Sequence, residues 1–127
     1  MNSIVGIGID IVEVYRIETA MVKHPTRFTA RVFTDGEVAY CEKKKNKFHH
    51  YAARFAAKEA VMKALGTGWG SGVGFPQIEV INAPSGRPDL RLHDRAGEIF
   101  RASGASVAFL SLSHTDAYAA AQVIFSS

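Results

Sequence analysis

Apolar positions along the chain change their period several times, and each change marks an element. From Ser3 to Asp10 the sequence Ser-Ile-Val-Gly-Ile-Gly-Ile-Asp alternates as a strand does. Val5, Ile7 and Ile9 share one side; Ile4, Gly6, Gly8 and Asp10 share the other. The two glycines leave that second side open to another backbone. Asp10 falls at or near the strand's C-terminal end, where a lone Asp is ordinarily a turn or cap residue. Val12 to Val22 carries a helical pattern that stops before Pro25, and Arg27 to Val32 fits a short helical turn. Thr34-Asp35-Gly36-Glu37 has the form of a capping box, opening a helix through Ala39, Tyr40 and Cys41 into Lys43-Lys44-Lys45. Asn46 breaks that pattern. In the second half, Ile78 to Ile81 and Leu90 to Leu92 read as strands of a hairpin around Pro84-Ser85-Gly86-Arg87-Pro88. Asp94 to Ala102 is an amphipathic helix with Ala96, Ile99 and Phe100 inward. Val107 to His114 and Ala117 to Phe125 read as strands joined at Thr115-Asp116.

The organising stretch is Arg54-Phe-Ala-Ala-Lys58-Glu59-Ala-Val-Met-Lys63-Ala-Leu-Gly66-Thr-Gly68. Strong helix formers fill it, and Gly66 supplies the stop expected just past a last turn. At about 100° per residue, Ala56, Ala57, Ala60 and Ala64 form one small-residue face, and Phe55 and Met62 a second apolar strip. A helix apolar most of the way round is a buried helix. Charges on it therefore need partners. Glu59 and Lys63 lie one turn apart beside the Phe/Met strip, with Arg54 and Lys58 on its other flank. One reading is an ordinary i,i+4 pair. The other is a carboxylate and several cations held at the edge of a core, which suits a metal and a phosphate.

Composition narrows the classes. A chain of 127 residues that is 47% hydrophobic predicts one domain, residues 1–127, with a packed core. No apolar run approaches a membrane span. The single Cys41 forms no internal disulfide, which fits a reducing, cytoplasmic setting. The net charge of +3 favours an acidic or nucleotide-like partner. The basic residues are spread out, without the basic-aromatic face of a nucleic-acid binder. Gly66 to Gly74 contains five glycines and is a loop by composition, able to wrap a ligand or simply to connect. His49 and His50 are adjacent on a helix, point in different directions and make a poor metal site. Period two places Leu110, Leu112 and His114 on one strand face and Phe109, Ser111 and Ser113 on the other, so Ser113-His114 is no catalytic dyad.

Three stretches taken together are more specific than any one. Gly6-Ile-Gly-Ile-Asp10-Ile-Val-Glu13 with Arg16, the central Arg54 to Gly68 segment, and Leu110-Ser-Leu-Ser-His114-Thr occur in this order in a short chain. The chain resembles the holo-acyl-carrier-protein synthases, the small single-domain 4′-phosphopantetheinyl transferases, over essentially its whole length. Phe-x-x-Lys-Glu-Ala-x-x-Lys is the most diagnostic piece.

The resemblance implies an α+β fold, 4′-phosphopantetheinyl transferase-like, with a small antiparallel sheet packed beside a long central helix. It implies transfer of phosphopantetheine from coenzyme A to a serine of an acidic acyl carrier protein, for fatty acid biosynthesis, with release of adenosine 3′,5′-bisphosphate. It implies Mg²⁺ held by Asp10 and Glu59, and homotrimers with active sites at subunit junctions, with no nucleic acid or membrane involved. Glu59 and Lys63 are then the catalytic candidates, Glu59 or a nearby water the candidate base. Arg54, Lys58, Lys63, Gly66, Gly68, Arg87, Pro88 and His114 are candidates for binding coenzyme A, and Arg16 for docking the carrier. Arg87 stands where a Lys is frequent in the family. Trp69, in the glycine-rich loop, is unusual for the family. Three other readings compete: a metal-dependent hydrolase of nucleotide-like diphosphates, a basic binding module for nucleic acid, and a structural trimer.

Overall fold

The computed structural model describes residues 2–68 and 71–127; Trp69 lies outside them. Among the described residues, five helices, a 3₁₀ turn and five strands follow the order β1 (Ile4–Glu13), α1 (Val14–Lys23), α2 (Pro25–Val32), α3 (Asp35–Glu42), α4 (Lys47–Leu65), the 3₁₀ turn Phe75–Gln77, β2 (Ile78–Asn82), β3 (Pro88–Leu92), α5 (Asp94–Ala102), β4 (Val107–His114) and β5 (Tyr118–Ser126). Strands β1, β5 and β4 form one antiparallel sheet in that spatial order, and β2 and β3 form a separate hairpin. Helix and sheet thus mix as the α+β expectation has it, with two small antiparallel sheets rather than one.

The central helix lies against the inner face of the three-stranded sheet. Its alanines Ala52, Ala56, Ala57 and Ala60 are fully buried, and so are Tyr51 and Val61. Small side chains let a helix approach a sheet closely, and β1 takes this furthest. A Cβ built on Gly8 would sit 1.9 Å from the Ala60 carbonyl oxygen, and one on Gly6 would sit 2.5 Å from the Ala64 carbonyl oxygen. No side chain fits there, so the two glycines are what allow β1 to run along α4.

At the junction of β1 and α1 the boundary differs from the sequence reading. β1 runs on to Glu13 because β5 offers it a partner that far, pairing Glu13 with Tyr118. Asp10 therefore lies inside the strand, opposite Ala121, and not at its end. Helix α1 begins correspondingly later, at Val14. The turn predicted at Arg27 is a full helix from Pro25, with Pro in its first turn, where a missing N–H costs nothing.

The predicted caps are present. Thr34 Oγ1 accepts from the Glu37 N–H at 3.2 Å, and Glu37 Oε1 accepts from the Thr34 N–H at 2.9 Å. Gly66 closes α4 in the left-handed conformation, φ 75°, with its N–H on the Lys63 carbonyl at 3.1 Å.

Gly8→Ala should destabilise the fold by about 2–3 kcal/mol, because the added methyl meets backbone and not a movable side chain. Thermal denaturation followed by circular dichroism measures this. An unchanged midpoint would mean that β1 does not rest on α4.

Candidate functional site

The candidate residues fall into two groups on either side of α4. The first is built by β1 and α4. Lys63 Nζ donates to Asp10 Oδ1 at 3.1 Å and to the Ile9 carbonyl at 2.8 Å. Glu59 stands one turn before Lys63, and its carboxyl is raised above the ordinary range. Partial burial is the main cause, the negative charge of Asp10 adds to it, and Lys63 opposes it. The acid from the strand is thus close enough for its charge to act on the acid from the helix. Two carboxylates with one shared cation leave negative charge in excess, and all the acidic donors are oxygen. That donor set fits Mg²⁺, a hard cation typically bound through one or two carboxylates plus phosphate and water. Among the described residues no three His, Cys, Asp or Glu side chains are grouped to hold a metal. The remaining ligands would thus come from substrate and solvent.

The second group surrounds a pocket of about 180 Å³ bordered by Arg54, His50, Asn82, Gly86, Pro88 and His114. Arg54 forms its floor. Only 2% exposed, it lies over the Tyr40 ring at 4.2 Å and donates through Nη2 to Asn82 Oδ1. Its Nε is buried without a partner. A buried guanidinium with a donor to spare, on the wall of an open pocket, is suited to an anion. Of the predicted turn residues, Gly86 and Pro88 border this pocket, while Arg87 between them is exposed. Gly66 and Gly68 flank Thr67, whose Oγ1 is also buried without a partner. Arg16 stands exposed on α1.

Lys58 does not belong to either group, and the expectation that it meets a phosphate is corrected. It is fully buried on the other flank of α4, with Nζ donating to Glu37 Oε1 at 2.7 Å and to the carbonyls of Phe75 and Ile78. Burial holds its amine below the ordinary range, against the pull of Glu37. Glu37 Oε2 in turn accepts from the Val80 N–H at 2.9 Å. Adjacent helix positions are about 100° apart, so Lys58 and Glu59 look into different surroundings. Which of the two faces a ligand depends on where β2 packs, and that is not in the local sequence.

Sequence reasoning also missed Tyr40, Asn82 and the gathering of histidines. His49 and His50 diverge on α4 but straddle the end of β4. Their ring centroids lie 5.3 and 6.2 Å from that of His114. The signal was in the sequence only as two separate motifs some sixty residues apart.

The 4′-phosphopantetheinyl transferase superfamily model matches residues 6–123. A holo-[acyl-carrier-protein] synthase of Solibacter usitatus is 48% identical over 121 residues, covering 95% of this chain and 97% of that one. The crystal structure of the synthase from Neisseria meningitidis aligns with a TM-score of 0.87 at 32% identity, over 97% of this chain and 98% of that one. The synthase from Bacillus anthracis, solved in complex with CoA (3′,5′-ADP), aligns with a TM-score of 0.80 at 40% identity, over 98% and 97%. The chain belongs to the 4′-phosphopantetheinyl transferase superfamily, among its holo-[acyl-carrier-protein] synthases.

Asp10→Asn should lower the Glu59 carboxyl pKa, since removing a neighbouring negative charge favours the carboxylate. Carbon-13 NMR titration of the side-chain carboxyls of the metal-free protein measures it. An unmoved Glu59 would separate the two acids electrostatically.

Proposed function

We propose that this synthase transfers 4′-phosphopantetheine from coenzyme A to a serine hydroxyl of an acidic acyl carrier protein, with Mg²⁺, and releases adenosine 3′,5′-bisphosphate. The observation that carries the reading is the carboxylate pair, with Glu59 raised in part by Asp10 and Lys63 beside both. The serine oxygen bonds to the β-phosphorus of coenzyme A, and the bond from that phosphorus to the bridging oxygen breaks. The electron pair leaves with the bisphosphate. The serine proton passes to Glu59, directly or through a water. Lys63 holds a phosphate oxygen and moves from Asp10 to do so. Asp10 and Glu59 would hold Mg²⁺, which would offset charge on the diphosphate when bound. Arg54, Pro88 and His114 bind the adenosine end, with the 3′-phosphate toward Arg54. Gly66 and Gly68 lie along the ligand. Arg87 adds a cation at the rim, and exposed Arg16 guides the acidic carrier.

The synthase acts as a homotrimer, each site completed at a subunit junction. Support comes from the outer face of the three-stranded sheet, where Ile7, Ile9, Ile11 and Phe109 are exposed. Ile7, Ile124 and Phe109 lie side by side across the three strands. A contiguous apolar face of this kind marks an interaction surface. Ile9 and Ile11 are the immediate neighbours of Asp10 on β1, with their side chains on the opposite face of the strand. The cytoplasm is the proposed compartment. Burial pushes the lone Cys41 thiol up to about 11, which leaves it unreactive, and no described helix is long and apolar enough to cross a membrane.

The test is mass spectrometry of an apo carrier incubated with the protein, coenzyme A and Mg²⁺. A phosphopantetheine-sized gain on serine is expected. Asp10→Ala and Glu59→Ala should each lose at least ~100-fold in rate, and Arg16→Glu should raise the KM for the carrier more than that for coenzyme A. Coenzyme A cleavage without a carrier would instead identify a hydrolase, and full activity of either acidic variant would remove the metal assignment. Separately, Ile9→Lys should shift the protein to smaller species in sedimentation velocity. An unchanged distribution would place the subunit contact elsewhere.

A further inference from the structure

The pocket floored by Arg54 is lined on one side by His50, a histidine to which the proposed function gives no role. His50 borders the pocket together with Arg54 and His114. Its ring meets the edge of Tyr40, centroids 5.8 Å apart. Tyr40 carries a cation on its ring from each of two elements, Arg54 of α4 at 4.2 Å and Lys44 beyond α3 at 4.7 Å. His114 of β4 lies 6.2 Å away, centroid to centroid. His49 stands next to it on α4 and is anchored through Nε2 to the Asp116 carbonyl at 2.9 Å. The charged and titratable groups acting on His50 are thus Arg54, Lys44, His114 and His49, and no acid is among them. Burial first, then Arg54 and Lys44, and after them the neighbouring imidazoles, hold His50 below the ordinary imidazole range, so it is neutral near pH 7 in the free protein. An anion entering beside Arg54 reverses the second cause.

We propose that His50 is a specificity-determining residue for the 3′-phosphate of the nucleotide: it takes up a proton as a phosphate monoester enters the pocket, and thereby adds a pH-dependent preference for 3′-phosphorylated over 3′-unphosphorylated ligands. The proposal rests on the reading of this pocket as the nucleotide subsite and goes beyond it in naming the group that senses the phosphate. The sign follows from linkage. The bound-state pKa of His50 exceeds the free-state value, so binding consumes a proton. Affinity is greatest below the free-state value and falls as pH rises through the bound-state value. Below about pH 6 the phosphate monoester itself protonates and works against the effect, so the window lies between about pH 6 and pH 8.

The experiment is isothermal titration calorimetry of the wild type and His50→Gln with adenosine 3′,5′-bisphosphate and with adenosine 5′-monophosphate. It is run at both ends of that window, in two buffers of different ionisation heat. Wild-type affinity for the bisphosphate should fall roughly five- to tenfold from the acidic to the basic end, with proton uptake, because one linked proton is worth at most tenfold per pH unit. The monophosphate should change less than about twofold. His50→Gln should bind the bisphosphate several-fold more weakly at the acidic end, match the wild type at the basic end, and lose proton uptake. A uniform weakening at both pH values, or an unaltered profile in the variant, would make His50 a packing residue and overturn the proposal alone. A wild type that binds neither nucleotide at any pH would overturn the reading of the pocket as well.

Discussion

One backbone contact governs the architecture: β1 lies on α4 with no side chain between them at Gly6 and Gly8. Helices ordinarily pack on sheets through a layer of side chains. Here two missing Cβ atoms bring the strand backbone onto the helix carbonyls, and Asp10, two residues beyond Gly8 on the same strand face, is carried into the reach of Lys63. Glu59 then feels both. The same alternation sends Ile7, Ile9 and Ile11 to the opposite face, where they stay exposed. A single period-two pattern thus builds the helix contact, the acid pair and the apolar outer surface.

The central helix keeps its two charged flanks separate by giving them different dielectric surroundings. Toward β2, Lys58 and Glu37 are sealed in the core, and every strong partner is supplied: three acceptors around the amine, and on the carboxylate the amine plus two backbone N–H donors. Such a pair offsets its desolvation only when its hydrogen bonds are complete, and losing one member leaves the other uncompensated. Its consequence is geometric. It ties the capping box of α3, the middle of α4 and the start of β2 into one body, and the hairpin that follows brings Asn82 and Pro88 to Arg54. Toward β1, Glu59 and Lys63 are half-buried and exposed, so their charges can exchange partners when a ligand arrives.

Periodicity gave most elements within a few residues, and it did so wherever the governing interaction was local. The capping box at Thr34 and Glu37, the stop at Gly66 and the bounds of α5 and β4 depend on neighbours within one turn or on one strand's own pattern. The misses are non-local. β1 is extended by β5, a partner more than one hundred residues away, and this moved Asp10 from a strand end to a strand interior. Lys58 and Lys63 both stood as candidates for binding coenzyme A, and only the placement of β2 shows that Lys58 is taken up by the core. The carboxylate pair came from the resemblance, since nothing local joins residue 10 to residue 59. The histidine cluster escaped because its members come from α4 and β4 and share no motif.

The two groups of candidate residues have opposite electrostatic needs, and this constrains what can satisfy both. Asp10 and Glu59 lie within electrostatic reach of one another with a single lysine beside them, so that group gains from a cation. The pocket of Arg54, His50 and His114 gathers positive or protonatable groups with no acid acting on its central histidine, so it gains from an anion. A simple salt satisfies each separately but without any preference of partner. A ligand with a metal-bound diphosphate at one part and a phosphate monoester at another answers both demands in one molecule, and its length then selects among anions. In both groups the fold itself fixes the charges, Asp10 against Lys63 in one and Arg54 against Asn82 in the other, so on the proposed reading a ligand meets groups already positioned.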